Sequence, residues 1–118
     1  MSSREVAVLS FDLRARREIC MQLRTGGFEP FECVDLPIPS RLAGVVIHDH
    51  QLDEQARRRV RAWLKATRLA RVVVVVVSAR PVIWEEVCRG LDERVEILPS
   101  PAFSWELTDA LRQVRRRA

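Results

Sequence analysis

The sequence predicts an α/β domain in which a mostly parallel sheet lies between two layers of helices. Three observations lead there. The short runs Val6–Leu9, Val45–Ile47 and Val72–Val77 are apolar without interruption, as strands covered on both faces are. Between them lie segments whose apolar residues recur at helical spacing. Strands that alternate with helices in this way close into a parallel sheet by successive crossovers.

The first strand is Val6-Ala7-Val8-Leu9. From Leu13 to Thr25 the residues Ala15, Ile19 and Leu23 recur every four positions with Arg14, Arg17 and Arg24 between them, and Gly26-Gly27 ends the pattern; this is an amphipathic helix with a glycine terminus. Asp12 stands where its N-cap belongs. Phe31 to Leu36 is expected as the second strand. Pro37 and Pro39 follow at once, and proline excludes a regular helix there. The connection from Pro37 to Gly44 is therefore expected to hold a turn or an extended run. One face of the second strand is then thinly covered, or filled by the prolines and Ile38.

A helix is expected from Asp53 to Thr67, where Ala56, Val60 and Leu64 share a face with Trp63 beside it. Arg57, Arg58, Arg59 and Arg61 surround the other sides, and Asp53 and Glu54 suit the positive end of the helix. The six valines Val72–Val77 read as the central strand, since β-branched side chains favour strands and only a doubly covered strand hides all six. Burying each contributes about 1.5–3 kcal/mol before entropy. Beyond Pro81, the residues Ile83, Trp84, Val87, Cys88 and Leu91 have helical spacing; Val95–Leu98 is the last strand and Trp105–Val114 the last helix.

The chain has 118 residues, 47% of them apolar, which suits one domain over 1–118 with one buried core. Arg115, Arg116 and Arg117 account for most of the net charge of +4, so the body is almost neutral. Residues 115–118 extend the last helix or begin a linker. Cys20, Cys33 and Cys88 form no CxxC pair, which argues for small core residues in a reducing compartment. No apolar run reaches the length of a signal peptide or a membrane span. A cytoplasmic location is expected.

In such a sheet, function collects at the carboxyl ends of the strands. Those ends carry Ser10-Phe11-Asp12, His48-Asp49-His50, Ser78-Ala79 and Ser100-Pro101. Their order and separations resemble the receiver domains of two-component response regulators over essentially the whole chain. The resemblance implies a flavodoxin-like three-layer sandwich with a five-stranded parallel sheet of order 2-1-3-4-5, its second helix shortened or absent. It places Asp49 where a receiver has its phospho-accepting aspartate, Ser78-Ala79 where the hydroxyl and small residues stand, and Pro101 where the Lys-Pro proline stands.

The departures remove the chemistry the family uses. Ser10 and Phe11 replace the acidic pair, Ser100 replaces the lysine, and Ile97 holds the aromatic switch position. Transfer of a phosphoryl group to aspartate needs Mg²⁺, which needs hard oxygen ligands, and Phe11 is expected to fill the ion's space if it points inward. Ser100 supplies a dipole where a full charge is required. Ser10, Phe11, Asp12, Asp49, Ser78 and Ser100 thus read as a vestigial phosphorylation site, with Asp49 an acceptor for loop N–H groups or hydroxyls.

His48 and His50 fall on one side of an extended segment, yet sequence supplies no third metal ligand. No GxGxxG, P-loop or GxSxG motif occurs. The expectation is no enzyme, no metal, no cofactor, no membrane and no small-molecule substrate, but a regulatory module in bacterial signalling that binds a protein partner or a second copy. Trp84, Ile97, Phe103 and Trp105 are the candidate contacts, since receivers generally dock through their last two helices and last strand; the second strand's side is the other candidate surface. Two alternatives stay open: a working receiver that uses Asp12 with Asp49, and a nucleic-acid module driven by the arginines of residues 57–61.

Overall fold

Val73–Ser78 forms a strand in which all six residues are buried, and the rest of the domain is arranged around it. The computed structural model describes residues 4–34, 42–67, 72–91, 95–102 and 104–117, with side chains given as far as Arg112. The elements follow in the order β1 (Glu5–Leu9), α1 (Leu13–Thr25), β2 (Glu29–Cys33), β3 (Gly44–His48), α2 (Glu54–Ala66), β4 (Val73–Ser78), α3 (Pro81–Val87), β5 (Val95–Pro99) and α4 (Ser104–Arg117). All strand pairs are parallel, and the order across the sheet is β2-β1-β3-β4-β5. This is the flavodoxin-like arrangement that the resemblance implies.

Because successive side chains of a strand point to opposite faces, the valine run feeds two cores. Val73, Val75 and Val77 join Val6, Val8 and Val46 against Ile19 and Leu23 of α1 and Leu107 and Leu111 of α4. Val72, Val74 and Val76 join Ala7, Leu9, Val45 and Ile47 against Val60, Trp63 and Leu64 of α2 and Trp84 of α3. The helices sit where their caps put them: Asp12 accepts from the N–H groups of Arg14 and Ala15, and Asp53 accepts from that of Ala56 at 2.8 Å.

Three elements differ from expectation by more than one residue. The second strand begins at Glu29, two residues before Phe31, because the chain pairs with β1 as soon as it leaves the Gly26-Gly27 turn: Glu29 N–H donates to the Arg4 carbonyl at 2.9 Å. A glutamate and a proline are tolerated because β2 is an edge strand. Helix α3 stops at Val87, short of the periodic Leu91, as the chain turns through Gly90 at φ 83°. Helix α4 continues past Val114 to Arg117. No helix lies between β2 and β3 among the described residues; the expected turn at Pro37 and Pro39, and Ile38 with it, lies outside them. No described helix is long and apolar enough to cross a membrane.

Gly44 starts β3 beneath α4. A Cβ there would lie 2.7 Å from Leu111 Cδ2 and 3.1 Å from the Val73 carbonyl oxygen. Gly44→Ala is expected to destabilise the domain by about 1–3 kcal/mol through overpacking. Urea unfolding checks this, and an unchanged midpoint would mean that α4 moves aside freely.

Candidate functional site

The backbone fixes Asp49 directly beyond β3: its N–H donates to the Val77 carbonyl at 3.1 Å, and its carbonyl accepts from Leu52 N–H at 2.9 Å. Its carboxylate is held as well. Oδ2 accepts from the indole Nε1–H of Trp84 at 2.7 Å and from the hydroxyl of Ser78. Ser78, the buried last residue of β4, also accepts from Arg80 N–H at 2.9 Å, so its oxygen both donates and accepts. Hydrogen bonds to an ionised acceptor are the strong kind, and here two neutral donors converge on one oxygen.

Trp84 is fully buried, with 0% of its surface exposed, which corrects the reading of it as a partner contact. A buried indole N–H requires an acceptor, and Asp49 provides it. Phe11 is 41% exposed, and Trp84 is the aromatic residue that bonds to Asp49. Ile97 is half-buried and packs beside the α2/α3 core. Trp105 is 66% exposed, and Phe103 lies outside the described residues.

The loop after β1 forms a separate network on the α1 side. Ser10 is buried; its hydroxyl oxygen accepts from Asp12 N–H at 3.1 Å and lies 3.2 Å from His48 Nδ1. The Ser10 carbonyl accepts from Arg16 at 2.7 Å, and the same guanidinium reaches Glu32 of β2 at 2.9 Å. Asp12 spends Oδ1 on the cap of α1, and the Ala15 N–H holds its carboxyl below the ordinary 3.8, with further lowering from the Arg14 N–H and the two histidines. Its Oδ2 lies 4.0 Å from His50 Nε2. The rings of His48 and His50 have centroids 6.1 Å apart. Burial lowers the pKa of His48 from 6.5, with His50 adding and Asp49 and Asp12 opposing. Among the described residues no three His, Cys, Asp or Glu side chains gather as a metal site. After β5, Ser100 N–H donates to the Ser78 carbonyl at 2.8 Å, and Ser100 and His48 line a cleft of about 120 Å³.

The expected residues therefore fall into two groups. Asp49 and Ser78 meet α3, whereas Ser10, Asp12 and His48 meet α1. Two participants escaped the sequence reading. Trp84 carried the signal of any buried tryptophan, an N–H in need of an acceptor. Arg16 shares the helical face of Ile19, Cys20 and Leu23, and a cation on that face has to find partners.

Trp84→Phe keeps most of the packing and removes one donor from Asp49, so it is expected to cost about 1–3 kcal/mol. In a double-mutant cycle with Asp49→Ala the two losses are expected to be non-additive by more than about 0.5 kcal/mol; strict additivity would contradict the coupling. For His48, the lowered pKa means that the unfolded chain takes up the proton first as pH falls. Its contribution is complete above 6.5 and is lost as pH drops below that value. An NMR titration of the His48 ring should give a midpoint below 6.5, and a midpoint at or above it would contradict the burial.

No protein-family model matches the chain, and no curated protein matches it. Solved structures do. A sensor protein from Polaromonas sp. JS666 superposes with a TM-score of 0.75 at 20% identity, over 97% of this chain and 98% of that one. A response regulator receiver domain protein from Clostridium thermocellum gives 0.73 at 14% identity, over 99% and 96%. A CheY-like response regulator from Mesorhizobium loti gives 0.72 at 16% identity, over 97% and 99%. With the strand order and helix layers above, these similarities establish that the chain has the fold of a response-regulator receiver domain.

Proposed function

We propose that this receiver-fold domain works without phosphorylation, as a regulatory module of cytoplasmic signalling that binds a protein partner or a second copy of itself, and that it is not an enzyme. The observation that carries this reading is the engagement of Asp49 Oδ2 by Trp84 and Ser78. Replacing those donors with a cation would leave a buried indole N–H without an acceptor, at a cost of about 1–3 kcal/mol. Few other groups favour a magnesium ion there. The loop after β1 presents Ser10 and Phe11, and the cap of α1 occupies one oxygen of its carboxylate, Asp12. A phosphoryl group on Asp49 would also lack the compensating cation that a lysine in place of Ser100 supplies. With Trp84 buried, the surfaces left for a partner include exposed Trp105 on α4, the outer part of Ile97, and the side of β2, which Val34, 61% exposed, follows.

Incubation with Mg²⁺ and acetyl phosphate or beryllofluoride is expected to leave the amide signals of Asp49 and Ser78 and the Trp84 indole signal in place. Saturable shifts of those signals, abolished by Asp49→Asn, would overturn the proposal and identify a working receiver that recruits Asp12 beside Asp49.

A further inference from the structure

We propose that the groove between α2 and α3 docks an acidic, amphipathic helical segment of a partner protein. This rests on the reading of the domain as a protein-binding module and names a surface and a partner chemistry for it. The groove consists of two adjoining hollows that share Arg61. Ile83 and Val87, one helical turn apart on α3, line the first, and Leu91 lines the second; all three are only half-buried. An apolar floor between two helices is the form that accepts the apolar face of a third.

The walls specify charge. Arg57 donates to the Leu52 carbonyl at 2.9 Å, and Arg61 donates to the carbonyls of Val87 and Arg89. Carbonyl oxygens fix these guanidinium groups in place without cancelling their charge. Lys65 forms no ion pair among the described residues. Arg58 and Arg89 are paired, with Glu54 at 2.9 Å and Glu86 at 2.7 Å. The groove thus keeps three uncompensated cations, two of them held in position, beside an apolar floor. Carboxylates flanking an apolar stripe complement both features. A nucleic-acid backbone would meet the cations and leave Ile83 and Val87 uncovered, and no aromatic side chain lines the groove for a base to stack on.

The test titrates the ¹⁵N-labelled chain with a synthetic helix of about 18 residues that carries leucines at i, i+3, i+4 and i+7 and glutamates elsewhere, with the same helix bearing glutamines, and with a short DNA duplex. Saturable shifts confined to α2 and α3 with the glutamate helix are expected, about fivefold weaker in Lys65→Gln with Arg57→Gln. Lys65→Gln alone, at an exposed position, is expected to weaken binding in the same direction. Equal binding of the glutamine helix, tighter binding of the duplex, shifts elsewhere, or no saturation would each overturn the docking proposal. Repeating the titration with Mg²⁺ and beryllofluoride separates the two readings. Binding that is indifferent to them supports both, whereas binding that appears only in their presence keeps the groove and overturns the phosphorylation-independent function. A chain that responds neither to the helix nor to beryllofluoride overturns the groove alone.

Discussion

The contact between the indole N–H of Trp84 and the Asp49 carboxylate answers two demands at once. A tryptophan wholly inside the protein must place its N–H on an acceptor, and a carboxylate beside an apolar core must collect donors. Each side chain is the other's solution, and Ser78 completes the set from the end of β4. The ends of β3 and β4 and the middle of α3 are thereby tied at one oxygen atom. With Ser100 N–H on the Ser78 carbonyl, β5 joins the same assembly. At the carboxyl edge of the sheet, which in this fold is where ligands are met, the Asp49 side is cross-linked by internal bonds, while a cleft lies between Ser100 and His48.

The α1 side of that edge is organised by a different charge. Arg16 lies among apolar neighbours and spans from the Ser10 carbonyl to Glu32, linking the loop after β1 to the neighbouring strand. Removing Glu32 would leave Arg16 with the carbonyl alone and a poorly compensated charge. His48 and Asp49 are consecutive, yet they belong to separate networks because a strand sends alternate residues to opposite faces. The candidate residues thus fall into two hydrogen-bonded groups, one beside α3 and one beside α1.

What the sequence revealed depended on how local the determinants are. The valine run, the periodicity of α1 and α2, and the caps Asp12 and Asp53 are set by residues adjacent in the chain, and they could be read directly. The start of β2 could not, because Glu29-Pro30-Phe31-Glu32-Cys33 has neither an apolar run nor a clean alternation; pairing with β1 decides it. The burial of Trp84 is not legible for a related reason. Helical spacing of aromatics is the same for a core face and a contact face, and only the position of Asp49 across the site distinguishes them.

Proline at position 30 also shapes how this sheet can meet its neighbours. In β2 the amide of Glu29 points inward to Arg4, so the backbone groups of Pro30, one residue on, point away from the sheet. Nothing is lost from the ladder, but an approaching strand finds one donor missing near the start of the rim, with Glu29 and Glu32 on either side. Such features discourage edge-to-edge growth. Along this border, association by extension of the sheet is disfavoured.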